Sequence, residues 1–124
     1  NGNLKPEFDA ATQIMGGKWR IPTDTEISEL WDNTNSEWVE DYNGTKINGM
    51  KFTSKINGNS IFIPAAGNCL DGSVHYVGNY GYVWSSSLSP LYHSYAWNLG
   101  FGSDSYDVYD CYRYYGFSVR GVCK

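Results

Sequence analysis

The length, composition and charge of the chain already exclude several classes of protein. Its 124 residues make one ordinary domain, expected to span 1–124, and its aromatic content of 17% argues against a disordered chain. The net charge of −4 disfavours nucleic acid and anionic membranes as partners, because both select basic surfaces. No run approaches the roughly 18 apolar residues of a spanning helix, so no membrane insertion is expected.

The first third of the chain predicts two short helices. "EFDAATQIMGG" has apolar residues at helical spacing and closes with two glycines, which predicts a helix with a glycine C-cap. Thr23 and Glu26 fit a capping box that starts a second helix ending near Asn33, with a short strand or turn before it around Trp19. The predicted apolar face of the second helix consists of Ile27, Leu30 and Trp31.

The rest of the chain predicts short antiparallel strands. Asn57-Gly58 separates two β-rich runs and is a strong hairpin signal. Further strands are predicted in "GYVWSSS", "SYAWNLGF" and "GFSVRGV", and alternation in the second puts Tyr95, Trp97, Leu99 and Phe101 on one face. Two helices followed by antiparallel strands with long irregular links predict an α+β class. The predicted core consists of Trp19, Ile21, Ile27, Leu30, Phe62, Trp84, Leu99, Phe101 and Val119.

Three cysteines leave at least one thiol without an internal partner, because the number is odd. If one pair is bridged, we expect Cys69 with Cys123, since both lie in hydrophobic-flanked segments; three free thiols are an equal alternative. With two histidines and no CxxC pair, a zinc site is not expected, and neither is any other metal or cofactor.

Composition changes near residue 90. Residues 1–90 contain thirteen Lys, Glu, Gln and Met residues, whereas residues 91–117 contain none and include seven tyrosines. An asparagine codon whose two adenines become any base cannot encode Lys, Glu, Gln, Met or Trp. Between 91 and 117 only Trp97 lies outside the residues that such a codon can reach. If each of these positions is an independent draw from such a codon, the period of three in "DSYDVYDCYRYY" carries no structural meaning. The alternative is a Tyr-rich loop of ordinary origin.

Five segments, in order, carry a resemblance that covers nearly the whole chain. They are "DAATQIMGGKWRIPTDTEISEL", "NGMKFTSKINGNSIFIPAAG", "YGYVWSSS", "AWNLGF" and "YYGFSVRGV". Together they resemble the C-type-lectin-fold proteins that are diversified by retroelements, relatives of the formylglycine-generating-enzyme fold found in Bacteroidetes and gut phages. In that family a reverse transcriptase miscopies template adenines, so variable codons change while the scaffold stays.

The resemblance implies a fold, a function and a location. It implies a C-type lectin fold, in which two helices pack on a small twisted antiparallel sheet and the termini lie close together. The implied function is non-catalytic binding of a protein or glycan ligand on a cell surface or a phage tail, outside the cell. The chain would be the C-terminal ligand-binding domain of a longer protein, with its variable region at about 91–115.

The resemblance also sorts individual residues. "WSSS" and "GFSVR" match scaffold flanks, Ala96, Leu99 and Phe101 match framework positions, and Trp97 is a templated residue within the binding surface. Tyr95 and Cys111 fit either group. The expected ligand-binding residues are Tyr92, His93, Tyr95, Trp97, Asp104, Tyr106, Asp107, Tyr109, Asp110, Tyr112, Arg113, Tyr114 and Tyr115.

The residue types at these positions suit a binding surface. Tyrosine offers a large, rigid, amphipathic contact area with two torsions to freeze, as in antibody paratopes. The aspartates favour a basic or hydroxyl-rich partner. We expect four tyrosines of the variable region to be largely exposed: Tyr106, Tyr109, Tyr112 and Tyr115.

Three other functions remain open from the sequence. Relatives of the family include a copper-dependent oxidase with a cysteine pair near its C-terminus, and Cys111 and Cys123 stand in that region. A calcium-dependent lectin would need clustered carboxylates and its signature motifs, and "WDN" at 31–33 lies out of order in a predicted helix. A fixed structural or adhesin paralogue without diversification is the third alternative.

Overall fold

The structure, a computed structural model, describes residues 2–123 and consists mainly of strands. Strands make up 44% of the chain and helices 17%. The strands form four separate small antiparallel sheets instead of one sheet that carries two helices. The expected α+β class, a C-type lectin fold with two helices on a single small sheet, is therefore wrong, and the fold is mostly β.

Within the described residues, ten strands and two α-helices follow in chain order. They are α1 (Ala10–Met15), β1 (Trp19–Arg20), α2 (Asp24–Asp32), β2 (Thr34–Val39), β3 (Gly49–Ser54), β4 (Ser60–Pro64), β5 (Asn68–Leu70), β6 (Ser73–His75), β7 (Tyr80–Leu88), β8 (Tyr95–Gly102), β9 (Tyr106–Tyr112) and β10 (Val122–Cys123). The sheets are β1 with β10, β2-β3-β4, β5 with β6, and β7-β8-β9. No helix in 2–123 is long and apolar enough to cross a membrane.

Both predicted helices are confirmed, and local hydrogen bonds explain where they begin. The Asp9 carboxylate accepts the Thr12 N–H at 3.0 Å and so caps α1, while its other oxygen accepts the Ile21 N–H at 2.9 Å. The predicted capping box of α2 is present, because the side chains of Thr23 and Glu26 each accept the other's backbone N–H. Asp9 thereby ties α1 to the segment that leads into α2.

Most of the strand predictions are confirmed, and one is wrong. The hairpin around Asn57-Gly58 is confirmed by the pairing of β3 with β4, and "GYVWSSS" and "SYAWNLGF" lie in β7 and β8. The predicted strand in "GFSVRGV" is wrong, because this segment makes isolated bridges, such as Val83 with Ser118, before β10. No strand was predicted at 106–112, and this segment forms β9. Its hydrogen bonding to β8 overrides a pattern without alternation.

One hydrophobic core lies between α2, β3, β4 and the β7-β8-β9 sheet. Four predicted core residues are buried: Ile21, Ile27, Leu99 and Phe101. Leu30, Phe62 and Trp84 are half-buried, and the predictions for Trp19 and Val119 are wrong, since both are exposed. The core residues that the sequence analysis missed are Met50, Phe52, Ile63 and Val83.

The expected bridge between Cys69 and Cys123 is not formed. Cys69 carries a free thiol in β5, where its backbone pairs with Val74 and Gly116. Cys123 lies in a different sheet, where it pairs with Trp19 of β1. The two segments that looked equally ordered in sequence therefore belong to separate sheets. The pairing of β10 with β1 brings the C-terminal strand beside the N-terminal helix region.

Candidate functional site

The register between β8 and β9 positions most of the candidate residues. Side chains that lie directly opposite in an antiparallel pair share a face of the sheet. The pairs on one face, from one end to the other, are Tyr95 with Tyr112, Trp97 with Asp110, Leu99 with Val108, and Phe101 with Tyr106. The predicted shared face of Tyr95, Trp97, Leu99 and Phe101 is confirmed. The opposite face carries Asn98, Gly100, Asp107 and Tyr109.

Exposure separates the candidate ligand-binding residues from the framework residues between them. Each of the thirteen candidate residues between Tyr92 and Tyr115 is exposed or half-buried. The three expected framework residues, Ala96, Leu99 and Phe101, are buried. The candidate positions therefore lie outside the core, and the expected framework positions lie within it.

The four tyrosines of the period-three pattern differ in exposure. Tyr106 and Tyr112 are exposed, at 52% and 41%, whereas Tyr109 and Tyr115 are half-buried. A strand sends successive side chains to opposite faces, so a spacing of three places Tyr109 on the other face from Tyr106 and Tyr112. Its ring lies over Gly100, where an added Cβ would stand 2.9 Å from Cε1 of Tyr109. The expectation of exposure holds for two tyrosines and fails for the other two.

Eight aromatic side chains form a continuous row of ring contacts, here called the aromatic strip. The row runs through Tyr92, Tyr95, Tyr112, Tyr114, Tyr115 and Phe117, and Phe117 then contacts both Tyr82 and Trp84. Neighbouring ring centroids are 4.3 to 5.6 Å apart, the range of favourable aromatic pairs. Tyr114 and Tyr92 are the most exposed rings of the row, at 66% and 56%.

Polar contacts hold the loop that carries Tyr92 against β9. The Ser89 hydroxyl donates to Oδ2 of Asp110 at 2.7 Å and accepts the backbone N–H of Tyr92 at 3.4 Å. A guanidinium nitrogen of Arg113 donates to the His93 carbonyl at 3.1 Å. The backbone N–H of Arg113 donates to the Ser94 carbonyl at 2.8 Å. Asp110 and Arg113, expected as ligand contacts, therefore also hold the loop in place.

The remaining candidates lie away from the strip. Tyr106 stacks on Trp31 of α2, with ring centroids 3.3 Å apart, at the far end of β9. Asp104 lies in the turn between β8 and β9, and Asp107 is exposed beside it. Asp107 and Asp110 point to opposite faces of the strand. Within 2–123, no three His, Cys, Asp or Glu side chains come together in a way that could hold a metal ion.

The site raises the pKa of several ionisable groups. The hydrogen bond with Tyr112 raises the pKa of Tyr95 to about 12. Burial, followed by the nearby charges of Tyr82 and Cys111, raises the pKa of Tyr109 to about 12. Burial also raises the pKa of the Cys111 thiol, which lowers the fraction present as the nucleophilic thiolate. At neutral pH the site therefore presents neutral phenols that can donate and accept hydrogen bonds.

Three residues of the strip were not predicted as part of the site. Trp84 and Phe117 were assigned to scaffold flanks, and Tyr82 was not singled out. Alternation in "YGYVW" would have placed Tyr82 and Trp84 on one face of β7, which is a usable signal. The position of Phe117 had no such signal, because its segment crosses the sheet in isolated bridges.

A cleft adjoins the strip at Trp84, and Arg113 also lines it. It has a volume of about 640 Å³, and its walls also include Phe8, Leu88 and Val119. Most of this lining is apolar, and the volume falls within the range of small-ligand pockets, about 300–1,000 Å³. The cleft could therefore receive one apolar group of a ligand that lies on the strip.

The fold and the site together define a mostly-β domain with a Tyr-rich aromatic surface. Comparison of the chain with protein-family models, with curated proteins and with solved structures gave no match. The resemblance to retroelement-diversified proteins therefore stays a prediction from the sequence.

Proposed function

We propose that this protein is a non-catalytic binding module that recognises a protein or glycan ligand through its Tyr-rich surface. The observation that carries this proposal is the aromatic strip, which presents eight contacting rings next to an apolar cleft. Tyr and Trp dominate the energetics of protein interfaces, where they fill area at a low entropic cost. Two of its rings, Tyr92 and Tyr114, are more than half exposed, although apolar ring surface is costly to leave in water.

The composition of the site supports a ligand with basic or hydroxyl-rich groups. The phenols of Tyr95 and Tyr109 stay protonated well above neutral pH, so they act as neutral donors and acceptors. Asp104 and Asp107 are exposed acidic residues near the start of β9, the end that lies away from the strip. A Lys or Arg side chain or a sugar hydroxyl would complement these groups.

The same surface is proposed to vary between sister proteins through a retroelement, outside the cell on a bacterial or phage surface. Two observations support this: the asparagine-codon composition of 91–117, and the burial of the expected framework residues while the candidates are exposed or half-buried. Ala96, Leu99 and Phe101 are buried, so the expected framework positions lie in the core and the candidate positions outside it. Variation at exposed positions costs little stability, since surface substitutions away from special contacts stay within about 0.5 kcal/mol.

A binding screen with matched variants tests recognition. The protein is exposed to a glycan array and to a panel of bacterial surface proteins, and each positive is retested with Tyr112→Ala and Tyr114→Ala. We expect a loss of roughly thirtyfold or more in affinity, the size of an interface hot spot. Tyr76→Ala is the control, because Tyr76 is exposed outside the strip. Binding that survives both strip variants would contradict the proposal.

Sequencing of sister loci tests diversification separately. We expect sister chains to keep "GFSVR" at 116–120 and to differ across 91–115. A nearby partial copy of the gene should carry asparagine codons at the differing positions. Sister chains that agree throughout 91–117 would instead support a fixed paralogue.

A further inference from the structure

The outer edge of β9 has no strand beside it. In the sheet order β7-β8-β9, β9 pairs with β8 on one side, and within residues 2–123 no other strand pairs with it. β9 is seven residues long, from Tyr106 to Tyr112, which exceeds the mean strand length of about five to six residues. An edge of this length is a template for another chain, because each exposed main-chain group seeks a hydrogen bond.

The hydrogen bonds at both ends of the β8-β9 hairpin show which main-chain groups of β9 face outwards. The Gly102 N–H donates to the Ser105 carbonyl at 2.8 Å, and the Arg113 N–H donates to the Ser94 carbonyl at 2.8 Å. Both end pairs are therefore hydrogen-bonded pairs, and between them hydrogen-bonded and non-hydrogen-bonded pairs alternate along the ladder. In a non-hydrogen-bonded pair, the N–H and C=O groups of each residue point away from the partner strand. The residues whose N–H and C=O groups point away from β8 are therefore Tyr106, Val108, Asp110 and Tyr112.

Nearly all of these outward groups lack a partner among the described residues. Within 2–123, the Tyr112 carbonyl accepts the Tyr115 N–H at 3.3 Å, and no other backbone hydrogen bond is formed on this side. The N–H and C=O groups of Tyr106, Val108 and Asp110 are left to solvent or to a second chain. They repeat every two residues, as an added antiparallel or parallel strand requires.

The charge along this edge selects the second chain. Asp104, Asp107 and Asp110 lie along the hairpin, and the first cationic residue after them is Arg113. Two copies of this edge would place acidic residues near each other, which disfavours self-pairing. A strand with Lys or Arg on the face of Asp107, and apolar residues on the face that Val108 shares with two exposed tyrosines, meets complementary groups on both faces. Asp110 also lies on the face of Val108, where its carboxylate accepts the Ser89 hydroxyl.

We propose that the outer edge of β9 binds an extended segment of another protein as a fourth strand, with basic and apolar residues in alternation. This inference rests on the proposed function, because it names the class of ligand that part of the Tyr-rich surface recognises. Main-chain hydrogen bonds would supply affinity for any extended segment, and the side chains of β9 would supply the choice among segments. A variable β9 can thus change specificity while the mode of binding stays the same.

The test uses an eight-residue synthetic peptide of four Lys-Val repeats. Its matched control has the same composition in two blocks, four lysines followed by four valines, so its charge is equal but it lacks alternation. We expect the alternating peptide to bind more tightly in fluorescence anisotropy at low salt. We also expect it to slow amide hydrogen exchange at Tyr106, Val108 and Asp110, the outward N–H groups.

Two variants of the edge sharpen the test. Val108→Pro removes an outward N–H, which an edge strand tolerates, while Val108→Ala loses the same side-chain contacts and keeps that N–H. We expect Val108→Pro to bind the alternating peptide about five- to tenfold more weakly than Val108→Ala, the effect of one main-chain hydrogen bond. Asp107→Asn should weaken binding further at low salt, and less so at high salt.

Several results would overturn the inference. They are equal binding of the two peptides, binding without protection of the three outward amides, and equal affinity of the Val108→Pro and Val108→Ala variants. Protection of the same amides that grows with protein concentration, without peptide, would show that a second copy occupies the edge. A screened ligand that depends on Tyr112 and Tyr114 but not on the N–H of Val108 would overturn this inference and leave the proposed function standing.

Discussion

The two ends of one face of β8 differ in what covers them. Leu99 and Phe101, near its end, are each 2% exposed and belong to the core that includes Ile27 of α2. Tyr95 and Trp97 lie on the same face of the same strand, before Leu99, and are half-buried. Alternation decides which face a side chain takes, but the elements packed on that face decide how far it is buried.

The difference divides the sheet into a covered end and an open end. At the covered end α2 and β3 pack on the sheet, and their side chains exclude water. At the open end the aromatic side chains pack on one another, and the loop at 89–95 is held by hydrogen bonds. Stability is therefore expected to depend on the covered end and binding on the open end.

The strongest test of this division is Phe101→Ala. The Phe101 ring lies directly over Gly81 and belongs to the core, so removal of the ring leaves a cavity there. We expect the free energy of unfolding to fall by about 3–5 kcal/mol, measured by urea denaturation. Tyr95→Ala, at the open end of the same face, should cost far less, because its removal opens no cavity in the core. Equal losses for the two variants would contradict the division.

Gly100→Ala tests the packing of Tyr109 on the opposite face. The new methyl group would stand 2.9 Å from Cε1 of Tyr109, so the ring must move outwards. We expect a stability loss of about 1–3 kcal/mol from overpacking. Because burial raises the pKa of Tyr109 to about 12, an outward shift of the ring should lower that pKa towards its usual range. An alkaline absorbance titration that is unchanged from the wild type would contradict this account.

Ser89→Ala tests whether hydrogen bonds hold the loop at the open end. The variant leaves the half-buried Asp110 carboxylate without its 2.7 Å donor and removes the acceptor of the Tyr92 N–H. We expect a stability loss of about 1 kcal/mol and faster amide exchange at Tyr92. Ser94→Ala is the matched control in the same loop, because Ser94 is exposed and its contact with Arg113 uses the backbone carbonyl, which the variant keeps. Equal exchange rates at Tyr92 in both variants would show that the Ser89 hydroxyl does not hold the loop.

The smallest expected effect concerns how the stability of the protein depends on pH through Glu26 of α2, the helix that covers the core. The hydrogen bonds from Arg20, at 2.5 and 2.7 Å, together with the Thr23 N–H, lower the pKa of Glu26 from 4.5 to about 2. A lowered folded-state pKa stabilises the protein above pH 4.5, and this stabilisation is lost as the pH falls from 4.5 towards 2. The pair is partly exposed, so we expect about 1 kcal/mol or less.

Glu26→Gln is the variant for this measurement, because its amide oxygen can still accept the Thr23 N–H. When the pH falls from about 5 to about 2.5, the wild type loses most of the stabilisation that comes from the lowered pKa of Glu26. The variant lacks this carboxylate, so its free energy of unfolding should fall less over the same range. Urea denaturation at each pH measures the difference. Parallel pH profiles for the two proteins would contradict a role for the Arg20–Glu26 pair.

The sequence predicted local features of the fold more reliably than the way its elements associate. The capping box of Thr23 and Glu26 and the hairpin at Asn57-Gly58 depend on a few neighbouring residues, and both are present. The fold class depends on which strands find each other, and the α+β prediction was wrong because β9 and several short strands lack alternation. Burial of Trp19 and Val119 was overestimated, since an apolar residue need not face the core.

The sequence predicted the candidate site only in part, because local composition marks a segment but does not show which distant residues contact it. The change of composition after residue 90 marked the segment, and its thirteen candidate residues are exposed or half-buried. Composition could not tell that Asp110 and Arg113 hold a loop, or that Tyr109 lies on the opposite face of the sheet from Tyr112. It also could not add Phe117 to the strip, because the contacts of this ring with Tyr82 and Trp84 join segments that are distant in the sequence.

By itself, the sequence determined the two helices, the hairpin at Asn57-Gly58 and the segment where tyrosines concentrate, because each of these follows from residues close together in the chain. The tertiary structure alone decided that 106–112 is an edge strand, since only its pairing with β8 defines an inner and an outer side. The same pairing turned a period of three in "DSYDVYDCYRYY" into side chains on alternating faces. Strand pairing is non-local, and so its consequences for burial and for binding could not be read from neighbouring residues.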